Sequence, residues 1–339
     1  MEAYFDNSAT TAPCIEAIRA VNEALTDCWG NPSSLHRTGN KAKELLDLSR
    51  ESIAKRLSCD PSEIFFTSGG TESNNLAVMG AAYQMRRFGK RIVSTSVEHP
   101  SIDETLNKLE AEGFEVIKLR VDNFGRVNER ELYAAVNSNT ILITMMLVNN
   151  EVGTIMPVEA AKRAATAARS PALIHCDAVQ AFGKMPIKPA AMGVDLMTIS
   201  SHKIHGPKGV GALYIRKGVK IKPRTFGGSQ EMKIRPGTEA MPAIAGFGAA
   251  ARALPDPKRE LEHITMLRDY MVSKLTEIDD VVINSPPDAL DQCFCARHQI
   301  RADAELPLRE GNMRLQRLRL LQGQKEPCAH ADESGPQEA

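Results

Sequence analysis

The sequence predicts an α/β fold: a mostly parallel sheet with helices on both faces, completed by a second, smaller domain. Three observations carry that expectation. Short runs rich in apolar and β-branched residues alternate with helix-like stretches from Met1 to about Leu290, the pattern of strand–helix–strand units. Almost every run ends in polar or glycine residues, as in Ser68-Gly69-Gly70-Thr71, Glu98-His99, Asn149-Asn150-Glu151, Asp177 and Ser200-Ser201-His202-Lys203. Parallel sheets bind ligands at such strand ends. The length of 339 residues is enough for two domains at roughly 150 residues each.

The elements follow in order. A helix-like stretch at 33–57 precedes the apolar run Ile64-Phe65-Phe66-Thr67, and a second helix-like stretch at 73–87 follows it. Arg91–Thr95 is a β-branched run, then 101–112 reads as helix and Glu115–Leu119 as strand. Ile141–Thr144 and Ala172–His175 are strands on either side of a helical stretch at 157–169. Leu196–Ile199 is the last strand of the series, and 239–254 is helical again. Residues 257–284 read as a long amphipathic helix and a strand that begin a second domain, with Pro255 and Pro257 at the hinge. The large domain is therefore placed at 12–254, and a partial small domain at 1–11 and 255–290.

Composition excludes several classes. Hydrophobic residues are 42% and charged residues 25%, ordinary for a globular protein. Lys+Arg and Asp+Glu both number 42, and that balance argues against a nucleic-acid or anionic-membrane surface. No apolar run approaches the roughly 18 residues of a membrane span. Met1–Thr11 has neither a basic nor an apolar leader region, so a cytoplasmic protein is expected. The seven cysteines lack paired spacing and suggest no disulfide scaffold. Cys293-Phe294-Cys295 lacks a partner pair at zinc-site spacing, so no metal is expected.

Four strand ends carry candidate chemistry. Thr67-Ser68-Gly69-Gly70-Thr71-Glu72-Ser73-Asn74-Asn75 follows a strand and opens a helix; glycines admit close approach, and free N–H groups attract anions. It is a phosphate cradle by mechanism, or an ordinary glycine turn. Lys203 just after a buried-type strand can have a lowered pKa and form an imine, or be a solvated loop lysine. Asp177 could pair with a protonated ring nitrogen, with Gln180 reaching a ring oxygen; the alternative for Asp177 is a helix N-cap. His99 could stack on a planar group or move protons near neutral pH, or be structural. Together these are the parts that pyridoxal phosphate requires.

These residues belong to an ordered series: Asp6–Thr11, Gly30-Asn31-Pro32-Ser33-Ser34-Leu35-His36, Thr67–Asn75, Glu98-His99, Asn149–Gly153, Asp177–Gln180, Ser201-His202-Lys203 and Arg235-Pro236-Gly237-Thr238. In this the chain resembles the cysteine desulfurases of the class V aminotransferase family, fold type I, from about residue 1 to 290. The resemblance implies a seven-stranded sheet, a homodimer, and pyridoxal 5'-phosphate held by Lys203. His99 would stack on the ring and act as acid and base, Asp177 would pair with the ring nitrogen, and Gln180 with the ring hydroxyl. Gly70, Thr71, Ser200 and His202 would hold the phosphate, with Thr238 reaching it from the other subunit, and Asn150 would contact cofactor or substrate. L-cysteine would become L-alanine, its sulfur passing to an enzyme cysteine and on to an acceptor or iron-sulfur scaffold protein.

The series stops where composition changes. Residues 291–339 contain no Val, Thr, Tyr or Trp, one Ile, and six of the nine Gln. This is expected to be an aberrant, disordered tail. The family's cysteine loop, Ser-Ser-Gly-Ser-Ala-Cys near position 320, is absent, as is a later carboxylate-binding arginine. Read one base along with permitted codons, Phe294 onward becomes Ser-Val-Pro-Gly-Ile-Arg-Ser-Glu. Leu315–Gly323 becomes Ser-Ser-Gly-Ser-Ala-Cys-Ser-Lys in the same way. A frameshift is therefore inferred, and the chain as written is expected to be inactive in sulfur transfer. The alternatives are a cofactor-binding pseudoenzyme or interaction protein, a selenocysteine lyase, or an aminotransferase relative.

Overall fold

A computed structural model describes residue 4, residues 6–278 and 281–290, and the backbone of residues 294–296. The segment assigned above to a shifted reading frame, with Cys328, lies otherwise outside the described residues.

The chain begins with α1 (Ile15–Thr26) and α2 (Arg37–Leu57) and enters the sheet through β1 (Ile64–Thr67). Then come α3 (Gly70–Met85), β2 (Arg91–Thr95), α4 (Pro100–Ala111), β3 (Glu115–Leu119), α5 (Glu129–Ala135) and β4 (Thr140–Met146). After α6 (Val158–Ala167) come β5 (Leu173–Asp177), β6 (Leu196–Ser200) and β7 (Gly211–Ile215), and α7 (Met241–Ala253) closes this body. Beyond it lie α8 (Pro257–Leu275), β8 (Val281–Ile283) and β9 (Phe294–Ala296).

The sheet has seven strands in the order β1-β7-β6-β5-β4-β2-β3. Pairing is parallel from β3 through β2, β4 and β5 to β6; β7 runs antiparallel to both β6 and β1. Every residue of β4 is buried, as expected for a central parallel strand covered on both faces. Alternation along the strands splits the core into two layers. Phe65, Ile92, Leu142 and Leu196 pack with α3 and α4. Phe66, Val93, Ile143 and Met197 pack with α1, α2, α6 and α7.

Local sequence explains most boundaries. The stretch expected from 33 becomes helical at Arg37, because His36 is the N-cap and its Nδ1 accepts from Gly39 N at 3.2 Å. Asp60 and Glu63 form a reciprocal capping box that turns the chain into β1. Asp256 caps α8 through Lys258 N and Arg259 N, with Pro257 in the first turn. The helix expected from 73 starts at Gly70, and the expected helix and strand of 257–284 are α8 and β8.

Four elements were not anticipated. One of them, β9, pairs antiparallel with β8 inside the stretch expected to be a disordered tail, because backbone pairing to β8 orders it whatever its composition. α1 buries Ala17, Ala20 and Ala24, a face of small residues that a search for large apolar side chains passes over. α5 spans only Glu129–Ala135 and buries Leu132 alone. β7 opens on Gly211, a poor strand residue, and takes its order from neighbours on both sides.

α8 has no fully buried residue, and Met266, Leu267 and Tyr270 are exposed. Residues 281–290 are tied to the body by the Arg126–Asp288 ion pair at 2.6 Å and by Leu290 N donating to Gly153 O at 2.9 Å. No helix among the described residues is long and apolar enough to cross a membrane.

α2 and α7 touch at Gly248, where a Cβ would lie 2.5 Å from Ser49 Cα. That approach allows no side chain without separating two buried helices. Gly248→Ala is expected to lower stability by about 1–3 kcal/mol, the usual range for overpacking. Urea unfolding should show it as a lower midpoint at unchanged slope.

Candidate active site

The cradle is built by β1 and α3. β1 is buried at all four positions, and its end turns through Gly69 at φ 151°, a backbone that glycine alone adopts readily. Gly69 occupies the N-cap without a side-chain hydrogen bond, so the first N–H groups of α3 keep their capacity to bind an anion. A Cβ on Gly70 would sit 3.1 Å from Val179 Cγ2, so the missing side chain keeps this approach open. Facing it, Ser200 Oγ is buried with no partner among the described residues. Ser68 N donates to Glu72 Oε2 at 2.7 Å, and Arg235 Nε to Glu72 Oε1 at 2.9 Å. Thr71 is exposed at the rim.

Lys203 lies one short 3-10 turn beyond β6. Its Nζ donates to the carbonyl oxygens of Ser8 and, at 3.0 Å, Ala9. Burial, with Lys184 nearby, lowers its pKa from 10.5 to about 8, which raises the free-amine share near neutral pH well above that of an ordinary lysine. The N-terminal segment of residues 8–12 is fastened over this turn: Thr11 N and Thr11 Oγ1 both donate to His202 O, at 2.9 and 3.0 Å. His202 Nδ1 lies 3.3 Å from Thr10 Oγ1. Burial and the lysine charges push the His202 pKa down to about 4, leaving a neutral imidazole.

Asp177 ends β5 and is buried. Its Oδ1 accepts from Val179 N at 3.0 Å and its Oδ2 from Asn74 Nδ2 at 2.7 Å. The first bond is a local turn bond; Asp177 caps no helix. Burial raises its pKa, against these hydrogen bonds and the charge of Lys203. A cationic ring nitrogen beside it would favour the carboxylate.

Asn74 Nδ2 also donates to Ser101 Oγ at 2.9 Å, and Ser101 Oγ lies 2.8 Å from His99 Nδ1. Asp177 and His99 are thus joined through two side chains. Ser101 N donates to His99 Nδ1 at 3.1 Å, so Nδ1 is an acceptor and the neutral ring carries its proton on Nε2. His99 is therefore both the N-cap of α4 and an exposed imidazole of fixed tautomer. Behind it Glu98 is fully buried, its Oε1 accepting from Thr95 Oγ1 at 2.7 Å and Met146 N at 3.1 Å. Desolvation raises its pKa to about 8, which makes it a neutral acid at pH 7.

Gln180 and Asn150 line one recess with Ser8, Glu151 and Lys184. Gln180 Nε2 donates to Ser8 O at 2.9 Å and its Oε1 accepts from Lys184 at 3.3 Å. Asn150 Nδ2 donates to Glu151 Oε1 at 2.8 Å. Thr238 is exposed on the loop anchored by Arg235. Gly70, Ser200, Asp177, Lys203 and His99 are thus gathered at one edge of the sheet, while Thr238 stands on a loop outside it. The sequence argument missed the role of Asn74, although it lies inside the cradle motif, and missed Ser101 and Glu98 as partners of this site. Only contacts across the sheet reveal them.

The set fits pyridoxal phosphate. The cradle with orphaned Ser200 Oγ suits a phosphate monoester, Lys203 suits an aldehyde, and buried Asp177 suits a pyridinium nitrogen.

A family model for class-V aminotransferases matches residues 3–305. The cysteine desulfurase IscS of Dictyoglomus turgidum is 44% identical over 287 residues, which are 84% of this chain and 72% of that protein. A NifS/IcsS homolog of Lactobacillus delbrueckii subsp. bulgaricus is 46% identical over 286 residues, 84% of this chain and 74% of that one. Among solved structures, a NifS-like protein superposes with a TM-score of 0.82 at 39% identity, over 85% of this chain and 79% of its own. SspA in complex with cysteine superposes at 0.76 and 34% identity, over 84% and 80%. With the family model spanning most of its length and relatives named as desulfurases above two-fifths identity, the chain belongs to the class-V aminotransferase family.

Proposed function

We propose that the chain binds pyridoxal phosphate at Lys203, in the site of a cysteine desulfurase that takes L-cysteine to L-alanine. One observation carries this reading: a strand-end lysine of lowered pKa shares an edge with a buried aspartate and an uncapped glycine-started helix. The names of the relatives and the cysteine-bound SspA support the substrate. A homodimer, with Thr238 reaching the partner's phosphate site, fits the exposure of Thr238 and of Trp29, Leu35 and Phe226. A sulfur-acceptor or iron-sulfur scaffold protein would be the receiving partner.

When bound, pyridoxal phosphate supplies an aldehyde for amine capture and a ring that accepts electron density from the adjoining carbon. Gly70, Thr71, Ser200 and His202 would hold its phosphate. Asp177, fixed by Asn74 and Val179 N, would keep a proton on the ring nitrogen. Lys203 would offer a free amine to the aldehyde and could carry a proton. His99, its Nδ1 held by Ser101, would offer its Nε2 proton to the face of the bound ring. Gln180 and Asn150 line the recess beside Ser8 and Lys184 and would contact the ring hydroxyl and the substrate. Sulfur transfer needs in addition a positioned thiolate. Two of the described cysteines are unsuited: Cys176 is buried, and burial pushes the Cys59 thiol up to about 12. The Ser-Ser-Gly-Ser-Ala-Cys loop is absent from the sequence. The reading is therefore of a desulfurase site without its sulfur acceptor.

Three outcomes are expected. Borohydride reduction after incubation with pyridoxal phosphate should label Lys203 alone by peptide mapping, and Lys203→Ala should abolish it. Because the reactive form is the free amine, the rate of capture should rise with pH and level off above about 8; an ordinary lysine would still be rising at pH 10.

Asp177→Asn should retain the fold, with substrate-dependent absorbance changes slowed about a hundredfold or more, the order seen on losing one charge-stabilising group. Stopped-flow spectroscopy with L-cysteine measures this, and a change below about threefold would remove Asp177 from the ring nitrogen.

The chain as written should release no sulfide from L-cysteine in the presence of a reductant. Family-level turnover that disappears in Cys328→Ala would make Cys328 the acceptor and overturn the reading of the tail.

A further inference from the structure

Glu231, Met232 and Lys233 occupy three consecutive left-handed backbones, with φ of 43°, 51° and 65°. None is glycine, so each Cβ crowds its own backbone, and such a run persists only where its surroundings hold it. Apolar burial does not hold it, because Met232 and Lys233 are exposed. What the turn buries is one carboxylate. Glu231 Oε2 and Oε1 take both arms of Arg50, at 2.9 and 2.7 Å, and Oε2 also accepts from Phe66 N at 2.9 Å. Phe66 belongs to β1, the outermost strand on its side of the sheet, so Glu231 supplies the acceptor that a further strand would have supplied.

Four residues later Arg235 reaches Glu72 on α3, the same carboxylate that accepts from Ser68 N. The 231–235 segment therefore grips both legs of the glycine cradle, β1 where it enters and α3 where it leaves. Strain of this kind concentrated beside a binding loop points to a positioning device.

We propose that Glu231 is a positioning residue for the phosphate site: it locks the left-handed turn onto β1, keeps Arg235 on Glu72, and so holds the Ser68–Glu72 backbone ready for a phosphate. The inference rests on the cofactor reading above.

The test uses the full cofactor-free chain, titrated in parallel with pyridoxal phosphate and with pyridoxal, which has the same aldehyde and ring and no phosphate. Absorbance reports binding, and the melting temperature of each unliganded variant is recorded. Glu231→Gln should weaken pyridoxal phosphate tenfold or more and leave pyridoxal within twofold. Arg235→Gln, which breaks only the second grip, should act the same way by a smaller factor. Glu231→Asp should restore part of the phosphate preference. An unchanged ratio of the two affinities, whatever the melting temperature does, would make Glu231 a plain stabilising clamp and overturn the proposal. Should Glu231→Gln fail to fold, Arg235→Gln decides, and an unaltered phosphate preference there overturns it. A wild-type chain that binds pyridoxal without preferring pyridoxal phosphate would refute the cradle and the positioning role while sparing Lys203. Binding of neither would refute the cofactor reading itself and the positioning role with it.

Discussion

Parallel pairing from β2 through β4 and β5 to β6 is the constraint on which the site depends. Parallel strands share one carboxyl edge, and at that edge the chain leaves the hydrogen-bonded ladder with polar groups to spend. Glu98 and His99 follow β2, Asp177 ends β5, and Lys203 follows β6 by a single turn. The reversal of β7 does not disturb this. It returns β1 to the common direction at the far side of the sheet, so the glycine cradle opens at the same edge.

Burial then sets the charges. Lys203 and Asp177 have their charged forms disfavoured by desolvation, the lysine toward free amine and the aspartate toward neutral acid. Each tempers the other, since the lysine charge lowers the aspartate pKa and the aspartate raises the lysine's. A phosphate-bearing aldehyde with a basic ring nitrogen would answer both: it would take up the amine and provide a cation for the carboxylate. Glu98 is different in kind. It has no cationic partner in its hydrogen-bond set, and joins β2 to β4 as an uncharged acid beneath His99.

Two peripheral segments complete the edge. Residues 8–12 lie over the lysine turn through Thr11 and His202, and their carbonyl groups occupy the lysine amine. On the other side, the segment from Glu231 to Arg235 spans the cradle. Both act through backbone groups or buried carboxylates, which add no apolar area and confer alignment more than stability.

Much of this was legible in one dimension. Strand runs ending in glycine or polar residues placed Gly69, Gly70, His99, Asp177 and Lys203 at strand ends, because a strand's period and its termination are local properties of the chain. The same locality made the composition break after residue 290 visible. What only the tertiary structure decided are contacts between distant residues: Asn74 with Asp177, Lys203 with Ser8, Glu231 with Phe66. The alanine face of α1 and the glycine-led β7 belong here too, since neighbours rather than propensity order them. Sequence by itself determined which side chains stand at strand ends, because that follows from short-range pattern. Strand order and packing decided which of them meet, because each such meeting closes a loop of tens to hundreds of residues whose partners leave no periodic mark on the chain.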